Sequence, residues 1–167
     1  MRSVLSFLPI DKITHGATDF SQGSGASILE LSGRAPHVQP LICYEAIFPE
    51  FRTHDEAERP DWLLNITNDA WFGVSTGPYQ HLHMARTRAV ERGIPLVRAA
   101  NTGVSTAFDA FGRMLGEIPL NEENIIDVAL PSRTIAPTWY SRHGEFTLLI
   151  ICYILLIYTF RPFGKIA

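Results

Sequence analysis

The sequence holds two cysteines, Cys43 and Cys152, and Cys43 stands where a thiol could do chemistry. It closes a short apolar run, QPLIC at residues 39–43, that reads as a buried strand. A helix start follows closely, since Pro49 suits a first helical position and Glu50 a first turn. A thiol at a strand end facing a helix N-terminus is in a setting that favours thiolate. Glu45, two residues on, could hold a cation or orient a base. The same residue also reads as an inert packed cysteine, a common fate of an apolar-flanked thiol. Cys152 lies inside a long apolar run and reads as packing.

A second candidate is the loop NDAWFG at residues 68–73, directly after the apolar run WLLNIT at 62–67. Sites in α/β folds gather at strand C-termini, so Asn68, Trp71 and Gly73 could line one. A plain turn with an anchoring Trp fits the loop equally well. His81 and His83, at i and i+2, point to different helix faces and so do not make the i, i+4 pair of a metalloprotease. They read as solvated or packing residues. Gly103–Val104–Ser105 lacks the second glycine of a nucleophile elbow, which disfavours a serine hydrolase. The sequon Asn65–Ile66–Thr67 falls in a predicted buried strand and is set aside. No metal site and no cofactor motif is found.

The elements that must position these residues follow from the apolar pattern. Residues 1–38 read as Gly-, Ser- and Pro-rich loop with at most one short strand at 27–31. Strands are predicted at 39–43, 62–67, 96–100, 104–109, 113–118 and 125–130. A hairpin turn is expected at Ala110–Phe111–Gly112. Residues 50–61 read as a solvated helix ended by Pro60. Residues 79–92 read as a helix with Leu82, Ala85, Ala89 and Val90 on one face, closed by Gly93 and Pro95. Mixed strands and helices make the fold α/β or α+β.

At 46% hydrophobic and 19% charged residues, the chain is not intrinsically disordered. A net charge of −3 argues against nucleic acid as a partner. Mean hydropathy is +0.07, and the excess lies in residues 146–160, FTLLIICYILLIYTF, 15 residues without a charge. That is short of the ~20 of a full span. Flanking Arg142, Arg161 and Lys165 could snorkel, and Trp139, Tyr140, Tyr158 and Phe163 could form an aromatic belt. A transmembrane helix is therefore expected over 146–160, with a buried terminal element as the other reading. The flanking charges are too balanced to orient it. The N-terminal MRSVLSFLPID is too short in its apolar part for a signal peptide.

Several segments carry a specific resemblance. LICYEAIFP at 41–49 resembles the nucleophile segment of the nitrilase (carbon–nitrogen hydrolase) superfamily. LNITNDAWFGVSTGPYQHL at 64–82, ARTRAVE at 85–91 and PLVRAANTGVS at 95–105 are similar, in order and spacing, to bacterial apolipoprotein N-acyltransferases. HGATDFSQG at 15–23 resembles the loop ahead of that family's nucleophile strand. The combination of NDAWFG with GPYQH is more discriminating than a bare Cys-x-Glu.

The resemblance implies part of an αββα sandwich over residues 1–138, then a linker and C-terminal transmembrane helix over 139–167. It implies a membrane-anchored enzyme that takes an acyl chain from a phospholipid onto a thiol. The thioester is then passed to the α-amino group of a diacylated lipoprotein. Cys43 matches the nucleophile, Tyr44 offers a backbone N–H to the oxyanion, and Glu45 matches a positional carboxylate. Asn68, Trp71 and Gly73 match the loop bordering the substrate. The implied place is the bacterial inner membrane, with the catalytic domain on the periplasmic side. The family's general-base Glu, oxyanion Lys and a further essential Glu precede the loop with which this chain begins. Lys12, the one lysine before Cys43, does not match that motif. The expectation is a C-terminal portion, inactive by itself, with uncovered sheet edges and an uncovered apolar face. A nitrilase-type amidohydrolase and a non-catalytic membrane-tethered remnant are the alternatives.

Overall fold

The computed structural model describes residues 23, 25–33, 35–49 and 59–160. Most of the predicted N-terminal loop, with all of the 15–23 motif but Gly23, and residues 50–58 of the helix expected after Pro49 lie outside the described residues.

Five strands form one sheet in the order β1-β2-β3-β4-β5. Strands β1 (Val38–Ile42), β2 (Trp62–Asn68) and β3 (Leu96–Asn101) run parallel. Strands β4 (Ser105–Phe108) and β5 (Met114–Ile118) extend the sheet antiparallel. The five strands predicted over 39–118 are all present, with ends shifted by at most one residue. The short strand expected at 27–31 reduces to a single bridge between Leu29 and Val38.

Helix α1 (Gly77–Arg92) starts with Pro78 in its first turn and ends on Gly93 at φ 63°, the left-handed cap that glycine takes at least cost. Its buried face carries His81, Leu82, Ala85, Arg88, Ala89 and Arg92. Leu82, Ala85 and Ala89 join Leu41, Leu63, Leu96 and Phe108 in the core. Val90, expected on that face, is exposed. It falls one residue past the helical stripe set by 82, 85 and 89.

Along β2 burial alternates, with Leu63, Asn65 and Thr67 buried and Ile66 47% exposed. Ile42 on β1 and Ala99 on β3 are exposed too. Among the described residues the sheet thus packs one face against α1 and leaves Ile42, Ile66 and Ala99 exposed on the other.

Two expectations need correction. Residues 125–130 form no strand. The side chains of Ile126 and Val128 lie over Gly116 of β5, so the apolar residues of this segment pack on the sheet without joining its ladder. The second concerns the C-terminus. A short helix α2 (Trp139–His143) leads into α3 (Phe146–Thr159) of 14 residues. At 1.5 Å per residue α3 is about 21 Å long, against a hydrocarbon core of about 30 Å. Among the described residues no helix is long and apolar enough to cross a membrane. The predicted span is therefore not supported, and residues 161–167 lie outside the described region. Cys152, expected to pack, is exposed on α3 because none of that helix's side chains is buried.

The β4–β5 turn is held by Asp109. Its Oδ1 accepts from the backbone N–H groups of Phe111 and Arg113, and its Oδ2 from Arg113 Nε at 2.6 Å. Burial pushes the Asp109 carboxyl upward, but the hydrogen bonds from Arg113 and Phe111 outweigh it and hold it below the usual carboxylate range. A depressed folded-state value gives stability that is present above the unfolded value and lost as pH falls through the folded one. Asp109→Asn should cost about 1–2 kcal/mol at pH 7. In urea unfolding followed at pH 7 and pH 3, the gap between variant and parent should shrink at the lower pH.

Candidate active site at the strand ends

Cys43 does not end the strand, as the sequence suggested. It opens a 3₁₀ turn (Cys43–Ile47) at the C-terminal end of β1, with φ at 52°. That left-handed backbone is unfavourable for a residue with a Cβ, by roughly 1–2 kcal/mol. Something must hold it, and strain of this kind gathers at functional sites. Glu45 supplies one restraint, because its Oε2 accepts from the Ile42 N–H at 2.6 Å and ties the turn to the strand end. Asn65 supplies another. Its Nδ2 donates to the Leu41 carbonyl at 2.8 Å and to the Cys43 carbonyl at 3.3 Å. The Cys43 thiol is half-buried, and Tyr44 is 49% exposed.

A second 3₁₀ turn (Asp69–Phe72) follows β2 at the neighbouring strand end. Asn68 caps it, its Oδ1 accepting from Ala70 N–H at 3.1 Å and from Asn101 Nδ2 at 3.0 Å. Gly73 ends it at φ 57°, ψ −155°, a conformation that only glycine adopts readily. Trp71 is 85% exposed, so it anchors nothing among the described residues. The two turns meet through aromatic rings. Tyr44 lies 6.1 Å from Phe72 and 5.2 Å from His81, centroid to centroid, and Phe72 lies 6.0 Å from His81. All six sequence-predicted site residues thus sit on two adjoining turns at the C-terminal ends of adjacent parallel strands.

Beneath the turns lies a group that sequence reasoning missed. Arg98, 1% exposed, donates through Nη1 to Asn65 Oδ1 and through Nη2 to Asp69 Oδ2 at 2.6 Å. Asp69, also 1% exposed, faces His81 Nδ1 with its Oδ1 at 2.9 Å. A carboxylate only accepts, which puts the ring proton on Nδ1. Burial pushes the Arg98 guanidinium downward, while the charge of Asp69, its hydrogen bond and the sulfur of Cys43 push it back up; burial wins. Gly103 lies against Asp69, where a Cβ would strike the carboxylate. His81 is therefore a buried partner of an acid, while His83 is exposed as expected. The signal was present in β3, where a charged residue stands in a buried register of PLVRAAN.

Chemically, the site offers a thiol on a strained turn beside a buried cation. Of the chain's two lysines, Lys12 and Lys165, neither lies among the described residues. No group of three or more potential ligands that could hold a metal is found among those residues.

Apolipoprotein N-acyltransferase from Rickettsia bellii is 44% identical over 87% of this chain and 29% of its own length. The protein of the same name from Rhodopseudomonas palustris is 47% identical over 96% of this chain and 30% of its own. The chain thus spans about 30% of the length of the curated relatives it matches. Among solved structures, an amidase from Nesterenkonia sp. is 28% identical, with a TM-score of 0.47, over 61% of this chain and 40% of that one. The carbon–nitrogen hydrolase family model matches residues 9–140. With the match running through both turns and the buried group beneath them, the chain belongs to the carbon–nitrogen hydrolase family.

Proposed function

We propose that this chain supplies the nucleophile-bearing part of an apolipoprotein N-acyltransferase. The observation that carries the reading is the 40–47% identity to proteins of that name over most of this chain. In this reading Cys43 Sγ attacks the ester carbonyl of a phospholipid. The carbonyl oxygen gathers charge, and the Tyr44 N–H donates to it. The C–O bond breaks, a lysophospholipid leaves, and a thioester remains on Cys43. The α-amine of a diacylglyceryl cysteine then attacks the thioester, an amide forms and the thiol is released. Glu45 keeps the turn in shape through Ile42, while Asn68, Trp71 and Gly73 border the acyl donor and acceptor. Residues 1–138 form the catalytic part and 139–167 the segment with the apolar helix. The reaction belongs at the bacterial inner membrane, on its periplasmic side, where both lipid substrates are found.

The test is a chimera in which residues 1–167 replace the matching segment of the R. palustris relative. Given phospholipid and a synthetic diacylated lipopeptide in detergent, it should produce the triacylated lipopeptide, read by mass spectrometry. The 167-residue chain assayed alone should give no turnover, since neither a matching base Glu nor a matching Lys is found in it. A chimera without activity beside an active parent would overturn the assignment. Turnover by the chain alone would mean that its own residues supply the base and the oxyanion donors.

A further inference from the structure

The Cys43–Tyr44 peptide is where the buried group meets the turn. Its carbonyl accepts from Asn65 Nδ2, and its N–H is the donor assigned above to the oxyanion. A trans peptide is planar, with C=O and N–H pointing in opposite directions. Whatever grips the carbonyl therefore aims the N–H. Asn65 is fully buried and stands in register with Leu41 on β1 and Arg98 on β3. Its amide has one orientation in which both ends are satisfied. Nδ2 faces the carbonyls of Leu41 and Cys43, and Oδ1 faces Arg98. Arg98 is in turn fixed by Asp69, and Asp69 by His81.

We infer that Asn65, oriented by Arg98, is a positioning residue that turns the Tyr44 N–H outward as the oxyanion donor and holds Cys43 in its strained backbone. The inference rests on the acyl-transfer reading and adds a role to two residues outside the turn. It separates two properties of Cys43. Attack on a carbonyl needs the aimed N–H, because charge builds on oxygen. Displacement on iodoacetamide needs only an accessible sulfur.

The full 167-residue chain in detergent tests it, with Cys152 as an internal reference thiol. Each cysteine is assayed by mass spectrometry for acylation by p-nitrophenyl butyrate and for alkylation by iodoacetamide. In the acylation the Sγ–C bond forms, the ester C–O bond breaks, p-nitrophenolate leaves and the thiol proton passes to buffer. In the parent, the ratio of acylation to alkylation should be at least ~10-fold higher at Cys43 than at Cys152, a threshold set below the roughly 10²–10³ that one oxyanion donor contributes in a complete site. Asn65→Asp keeps a partner for Arg98 and so the fold, verified by circular dichroism, but cannot donate to the carbonyls. It should bring the Cys43 ratio to within about threefold of Cys152, with the alkylation rate little changed. Arg98→Lys should keep part of the advantage and Arg98→Met none. An undiminished ratio in folded Asn65→Asp, or equal parent ratios at the two cysteines, would overturn the inference while leaving the nucleophile assignment standing. A parent in which Cys43 is alkylated but never acylated would overturn that assignment itself, and the inference with it.

Discussion

Cys43→Ala should take acyl transfer by the chimera to background, a fall on the order of 10⁴-fold or more, while Cys152→Ala leaves it within about twofold. Removing a nucleophile from a site whose parts act as a unit costs nearly the whole of the catalysis. The chain's other thiol, Cys152, lies on α3 and on neither of the two turns. Loss of the Tyr44 or Asn65 contribution should cost less, because an oxyanion donor carries only part of the barrier. Initial rates of lipopeptide conversion, measured for both cysteine variants in parallel, check the order. Equal losses would mean that the fold, and not the thiol, was removed.

Asp69→Ala should destabilise the protein by about 3–5 kcal/mol, the cost of leaving a buried charge without its partner. The side chains of Asp69 and Arg98 are both fully buried, and His81 depends on the same carboxylate. Total stabilities are only about 5–15 kcal/mol, so much of such a variant should be unfolded. The double variant Asp69→Leu with Arg98→Met removes both charges and should recover a large part of the loss. It should not recover the acylation advantage of Cys43, because Asn65 is then no longer held. Denaturant unfolding gives the first comparison, and the ester-to-alkylation ratio the second.

The parts of this arrangement that depend on neighbouring residues could be read from the chain. Apolar runs marked the strands, Gly93 and Pro95 marked the end of the helix, and Cys43 stood out at a strand end. The parts that depend on register could not. Asn65 and Arg98 are 33 residues apart and meet because β2 and β3 pair in parallel at that level. Asn65 looked like a buried sequon with no use, and its buried position was right but its partners were invisible. His81 and His83 were correctly placed on different faces, yet nothing local said that the His81 face would meet an acid from another turn. Residues 125–130 have the pattern of a strand, but Ile126 and Val128 are used to cover Gly116. The apolar tail read as a span because its composition is right. The helix it forms among the described residues is too short.

The most direct measurement is to look for the covalent intermediate. The chimera, given phospholipid with a labelled acyl chain and no lipopeptide, should accumulate label on the peptide containing Cys43. Neutral hydroxylamine should release that label, as it does a thioester, and added diacylated lipopeptide should carry it away as amide. Label on any other residue, or label that persists in Cys43→Ala, would contradict the account.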